Sequence, residues 1–232
     1  AKRSLSSGRP IGGAWLHVDG AIGLWALASP ELRDRFAGIE RADSWSTDAH
    51  KWLNTPYDCG IAITSRPEAH RRALTLRADY LPEGGEVRNP IDWNPEMSRR
   101  ARATAVYATI RALGRSGIAE IVERDVEMAR RYAARLRDEA GVEVLNEVEL
   151  NQVIVRFRDR RGEAASHTPA VLEAVQRSGV AYPTGTVWEG EPAIRISVSN
   201  WMTDEADVDR TVEELLAAAV DDLDVGPLLG AQ

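Results

Sequence analysis

The stretch "AWLHV" (14–18) runs into Asp19 and then into the small residues "GAIG". A short, mostly apolar run closed by a carboxylate and glycines predicts a buried β-strand that delivers Asp19 at its C-terminal end. In open α/β sheets ligands collect at such strand ends, so this one segment restricts the chain to a small set of architectures. A second run, "SWST" (44–47), leads to Asp48, His50 and Lys51, and "CGIAITS" (59–65) follows a turn at Pro56. Two strand ends therefore bring polar side chains toward one crevice.

Residues 80–95, "YLPEGGEVRNPIDWNP", are punctuated by proline and glycine and predict a long loop of the kind that serves as a lid. Beyond it, "PEMSRRARATAVYATIRALG" predicts a helix ending at Gly114, and "SGIAEIVERDVEMARRYAARLRDEAG" a second one, from Ser116 to Gly141. From residue 142 the pattern changes to strands "VEVL" and "QVIVRF", a helix "TPAVLEAVQRSG", a strand "AIRISVS" and a closing helix from Thr203. Asp204 and Glu205 place negative charge in the first turn of that last helix, where its dipole favours it. The expected organisation is an α/β domain over 1–114, linking helix included, followed by a smaller α+β domain over 115–232.

With 232 residues, 44% of them hydrophobic, the chain can bury a real core. A net charge of -7 excludes a general binder of nucleic acid or anionic membrane, which needs a concentrated basic face. The arginine clusters "SRRARA" and "ARRYAARLRDE" suit solvated helix faces. Cys59 is the single cysteine, which rules out an internal disulfide or a cysteine metal cluster and fits a reducing compartment. No apolar run reaches the roughly 20 residues of a membrane span, and "AKRSLSSGRP" has no secretory h-region, so a cytoplasmic location and a small-molecule substrate are expected.

Of 29 basic residues only Lys2 and Lys51 are lysine. Arginine stays charged, whereas a lysine amine can lose its proton and form a Schiff base with an aldehyde. A lysine between His50 and Trp52 invites that chemistry, although a surface lysine left behind by compositional drift fits the same count. Pyridoxal phosphate, the main cofactor bound through a lysine Schiff base, also needs a carboxylate beside its ring nitrogen to act as an electron sink. Asp19 is placed to supply one, and equally well to serve as a turn residue before Gly20.

Taken together, "WLHVDGAIG" and "DSWSTDAHKWLNTPYDCG" resemble the paired signature of the group II pyridoxal-phosphate-dependent amino-acid decarboxylases, the family of aromatic-amino-acid, glutamate and histidine decarboxylases. "DWNPEMSRRARATAVYATIRALG" resembles the family's segment after its mobile loop, and "IRISVSNWMTDEADVDRTVEEL", with Arg195 on a strand, its small-domain ending. The resemblance runs from Trp15 to about Val220. It implies the C-terminal part of a fold type I (aspartate aminotransferase-like) large domain followed by the small domain, working as a homodimer. It implies an internal aldimine at Lys51, Asp19 at the pyridine nitrogen, Ala21 packed on the ring and His50 near the phosphate and the reacting carbon. Asp48 would help hold the phosphate end through backbone or indirect contacts, and His17 would lie in the strand beneath the cofactor or be a satisfied core histidine.

The implied reaction is decarboxylation of an L-amino acid, aromatic substrates among the candidates. Two departures widen the choice. Aligned on Trp93, the family's loop tyrosine, which reprotonates the substrate carbon, is replaced by Pro90, and neither Tyr57 nor Tyr80 falls at that place. A proline transfers no proton, which favours an aldehyde-forming or other lyase reaction, or another acid such as His50. The family's N-terminal half, with its phosphate-cradling loop and stacking ring, has no counterpart here, so a non-catalytic remnant or assembly subunit is the reading from a different class. An incomplete sheet with an open edge and apolar face is the structural expectation.

Overall fold

The computed structural model describes residues 14–75, 88–159 and 167–221. The chain divides into two compact units, Ala1–Ala119 and Glu120–Gln232.

In the first unit, strands β1 (His17–Asp19), β2 (Ser44–Asp48) and β3 (Gly60–Thr64) form a sheet in that order. β1 and β2 are parallel, with Asp19 opposite Ser46; β2 and β3 are antiparallel, with Asp48 opposite Gly60. Parallel neighbours need a crossover, and three short 3-10 helices at Gly23–Ala28, Arg33–Phe36 and Ile39–Arg41 supply it. The buried strand expected at 14–18 is corrected here. β1 is an edge strand, no strand covers its outer side among the described residues, and His17 and Asp19 are exposed. β3 leads into helix α1 (Pro67–Leu74), which carries proline at its start, where the missing N–H costs nothing.

Helix α2 (Arg102–Arg137) begins later than the sequence pattern suggests, since residues 95–101 are irregular. Gly114, at φ 63° and ψ -174°, breaks it into the two expected helices. Ala49, Leu53, Cys59, Val106 and Ile118 form a buried cluster with Trp25, Ile61 and Leu113 against it, so the turn after β2 is packed under the helix. Of the expected long loop, residues 80–87 lie outside the described residues, Pro90–Trp93 form a 3-10 helix, and the rest is irregular.

The second unit is a four-stranded antiparallel sheet in the order β4-β5-β7-β6, formed by β4 (Val142–Val144), β5 (Gln152–Phe157), β6 (Thr184–Trp188) and β7 (Glu191–Ser197). Helices α3 (His167–Ser178) and α4 (Glu205–Asp221) pack with it. Leu136, Phe157, Val171, Ile194, Val212 and Leu215 are almost wholly buried in one core. Each is worth about 1.5–3 kcal/mol of burial, which makes this unit a well-founded hydrophobic body. Strand β6 has no counterpart in the sequence reading.

Candidate functional site

Side chains alternate across a strand, so His17 and Asp19 of β1 share a face with Ser44, Ser46 and Asp48 of β2. This polar face is bound together by its own hydrogen bonds. Ser44 Oγ lies 2.7 Å from His17 Nδ1 and accepts from Trp15 Nε1, and Ser46 Oγ is 3.3 Å from His17 Nε2. His17 is thus an exposed, doubly bonded ring and not a core histidine.

Past the strand ends the two chains stay clamped. Gly20 N donates to the Ser46 carbonyl at 2.8 Å, and Asp48 N donates to the Ala21 carbonyl at 3.2 Å. Asp19 Oδ1 accepts from Ala21 N at 3.1 Å, closing an Asx turn that leaves its other carboxylate oxygen for a partner. The Asp48 carbonyl accepts from Trp25 Nε1 at 3.0 Å. Asp19, Ala21 and Asp48 therefore sit on one rigid scaffold at one end of the sheet.

Lys51 follows on the turn between β2 and β3. Its Nζ is 2.9 Å from Asp48 Oδ2, and the same oxygen lies 3.8 Å from His50 Nε2. His50 Nδ1 lies 3.0 Å from the Cys59 amide nitrogen and 3.1 Å from the Cys59 carbonyl oxygen, so residue 59 seats the ring while Nε2 faces Asp48. The Tyr57 ring lies against His50 with centroids 4.1 Å apart. Trp52 and Leu53 are buried beneath the turn, whereas the Lys51 side chain keeps 34% of its surface exposed, enough to be reached from outside. Below Tyr57, Arg100 donates to the Tyr57 and Asp58 carbonyls, and Arg102 Nε donates to Asp58 Oδ1 at 2.9 Å. The hydrogen bond from Arg102, with a backbone hydrogen bond and the Arg102 charge, holds the Asp58 carboxyl below its ordinary range.

Asp48, His50 and Lys51 are thus brought into one cluster, with Asp19 and Ala21 on the adjoining strand end. No hydrogen bond or ion pair joins Asp19 to Lys51. Pro90 starts the 3-10 helix after Asn89, whose side chain accepts from Ile91 N. Tyr80 lies outside the described residues, and Arg195 is an exposed residue of β7 in the second unit. Sequence reasoning missed Ser44, Ser46 and Trp25, and set Tyr57 aside. The alternation in "HVD" and "SWSTD" was the available signal for the serines; nothing local signals the Tyr57 stack. Among the described residues no group of three or more histidine, cysteine or acidic side chains could hold a metal ion, and no helix is long and apolar enough to cross a membrane.

A reachable amine, an exposed carboxylate on a fixed strand end and an imidazole seated by Cys59 form a donor set that fits a phosphorylated pyridine aldehyde. The fold is that of the fold type I pyridoxal-phosphate enzymes. It matches the crystal structure of Oryza sativa TDC with PLP and tryptamine at a TM-score of 0.85 and 26% identity, covering 91% of this chain and 46% of that one. The Rhodiola rosea 4-hydroxyphenylacetaldehyde synthase structure matches at 0.78 and 29% identity, covering 90% and 44%. In sequence, the chain is 32% identical over 215 residues to a tyrosine decarboxylase of Oryza sativa subsp. japonica, covering 85% of this chain and 40% of that protein. It is 31% identical over 212 residues to the Rhodiola rosea synthase, covering 89% and 43%. The family model of the pyridoxal-dependent decarboxylase conserved domain matches residues 10–158. The chain belongs to the pyridoxal-dependent decarboxylase family. It spans less than half the length of the relatives it matches.

Proposed function

We propose that this chain is the lysine-bearing part of a pyridoxal-phosphate-dependent carboxy-lyase that decarboxylates an L-amino acid, aromatic ones included, in the cytoplasm and as a homodimer. The observation that carries the reading is the Asp48–His50–Lys51 cluster, clamped to the strand end that bears Asp19 and Ala21. Lys51 would hold the cofactor covalently through its amine. Asp19 would keep the ring nitrogen protonated, Ala21 would lie against the ring, and Asp48 would set the position of the neighbouring side chains. When bound, the cofactor supplies an electron sink for the pair left behind as carbon dioxide departs. His50, whose Nε2 faces Asp48 of this cluster, would be the side chain that hands a proton to the reacting carbon.

The test is borohydride reduction of the loaded protein followed by peptide mapping. The phosphopyridoxyl label is expected on Lys51 and not on Lys2. A Lys51→Ala protein that retained the same covalent adduct would overturn the assignment, and a protein that takes up no cofactor in titration would fit a non-catalytic subunit.

A second reading has its own support. Pro90 stands where the family resemblance expects a tyrosine, and the similar proteins include aldehyde synthases of Rhodiola rosea and of a Rosa hybrid cultivar as well as decarboxylases. Product analysis separates the two: amine plus carbon dioxide for simple decarboxylation, and aldehyde, ammonia and carbon dioxide, with consumption of a two-electron oxidant such as dioxygen, for the alternative.

A further inference from the structure

A carboxylate repels a phosphate, so Asp48 needs a task other than holding the phosphate end of the cofactor. We propose that Asp48 is a positioning residue that latches Lys51 in the cofactor-free protein, with His50 as the second partner that keeps the carboxylate in place when the lysine leaves. This rests on the reading of Lys51 as the cofactor's anchor.

Asp48 is fixed at both of its backbone groups, through Ala21 O and Trp25 Nε1, and therefore stays where it is when its partners move. Lys51 ends in a flexible four-carbon stem, and its Nζ is held at 2.9 Å by Asp48 Oδ2. To meet an aldehyde, Nζ must leave the carboxylate and turn outward, and the ion pair opposes that movement. Once Lys51 is drawn away, Oδ2 keeps His50 Nε2 as its neighbour, 3.8 Å off. The carboxylate is then not stranded beside an anionic ligand. Amide in place of carboxylate removes the latch without changing shape.

The composition provides a clean measurement. Acetic anhydride acylates only the unprotonated amine, with acetate leaving, and Lys2 serves as a reference in the same digest for the one other lysine, Lys51. Trace labelling of the intact, cofactor-free protein gives a Lys51-to-Lys2 ratio by mass spectrometry. A partly exposed ion pair of this kind should suppress labelling about 1.5- to fivefold, so Asp48→Asn should raise the ratio by that factor and Asp48→Glu should restore much of the suppression. Asp48→Ser is made alongside, so that a folding defect in the amide variant leaves a second protein carrying the same expectation. An unchanged or lowered ratio in a folded variant overturns the latch. Because the labelling needs no cofactor, failure of borohydride to fix a label on Lys51 would instead overturn the anchor reading.

Discussion

A β-carbon at Gly20 would lie 2.9 Å from Leu24 Cβ and 3.0 Å from the Ser46 carbonyl oxygen, the same oxygen that accepts the Gly20 N–H. Neither neighbour is the free end of a flexible chain. Gly20→Ala should therefore cost about 1–3 kcal/mol through a shift of the strand end, read as a lower urea midpoint. Because Asp19 and Ala21 flank it, cofactor affinity should fall in the same variant. Lys51 and Asp19 could be picked out of the sequence as candidates because a deprotonable amine and a carboxylate have few substitutes, and Asp48 and His50 entered as candidates through the family resemblance. The packing of Gly20 against β2 and the seat of Tyr57 on His50 could not be read from the sequence. Each depends on a residue far along the chain whose approach no local pattern encodes.

At the scale of elements, the strands that alternate or run continuously apolar, β2, β3, β5 and β7, could be read from the sequence, as could the Gly114 break and the closing helix. β6 could not, because "TGTVW" is short and mostly exposed, and only its hairpin partner gives it a reason to be extended. The turn that joins it to β7 consists of Glu189 and Gly190, with φ of 51° and 84°. Two positive φ values in a two-residue loop are what a type I′ turn demands, and glutamate is a poor choice for the first. Glu189→Asn should stabilise the second unit by about 0.5 kcal/mol, measured as a raised urea midpoint. α1 was missed for a related reason: "PEAHRRAL" is only eight residues long, is rich in charge and buries no residue.

For the molecule as a whole, many of the arginines among the described residues are engaged in arginine–carboxylate lattices. In the second unit Arg131 and Arg135 grip Asp209, tying α2 to α4, while Arg156 and Arg158 share Glu143 and Glu191 across β4, β5 and β7. Hydrogen bonds from Arg131 hold the Asp209 carboxyl below its ordinary range, and Arg158 does the same for Glu143. A carboxyl whose value is lower folded than unfolded binds fewer protons in the native state. It therefore contributes stability that is complete above the ordinary carboxylate range and is lost as pH falls through the depressed folded value. Tm should thus hold steady near neutrality and fall as the pH drops from about 5 toward 2. Asp209→Asn should lower Tm at neutral pH and flatten that acid slope, because the variant has no proton to take up there. Glu143→Gln, in the other lattice, should do the same independently, since the two lattices share no side chain. An Asp209→Asn protein with the full acid slope of the wild type would show that the α2–α4 lattice contributes nothing to it.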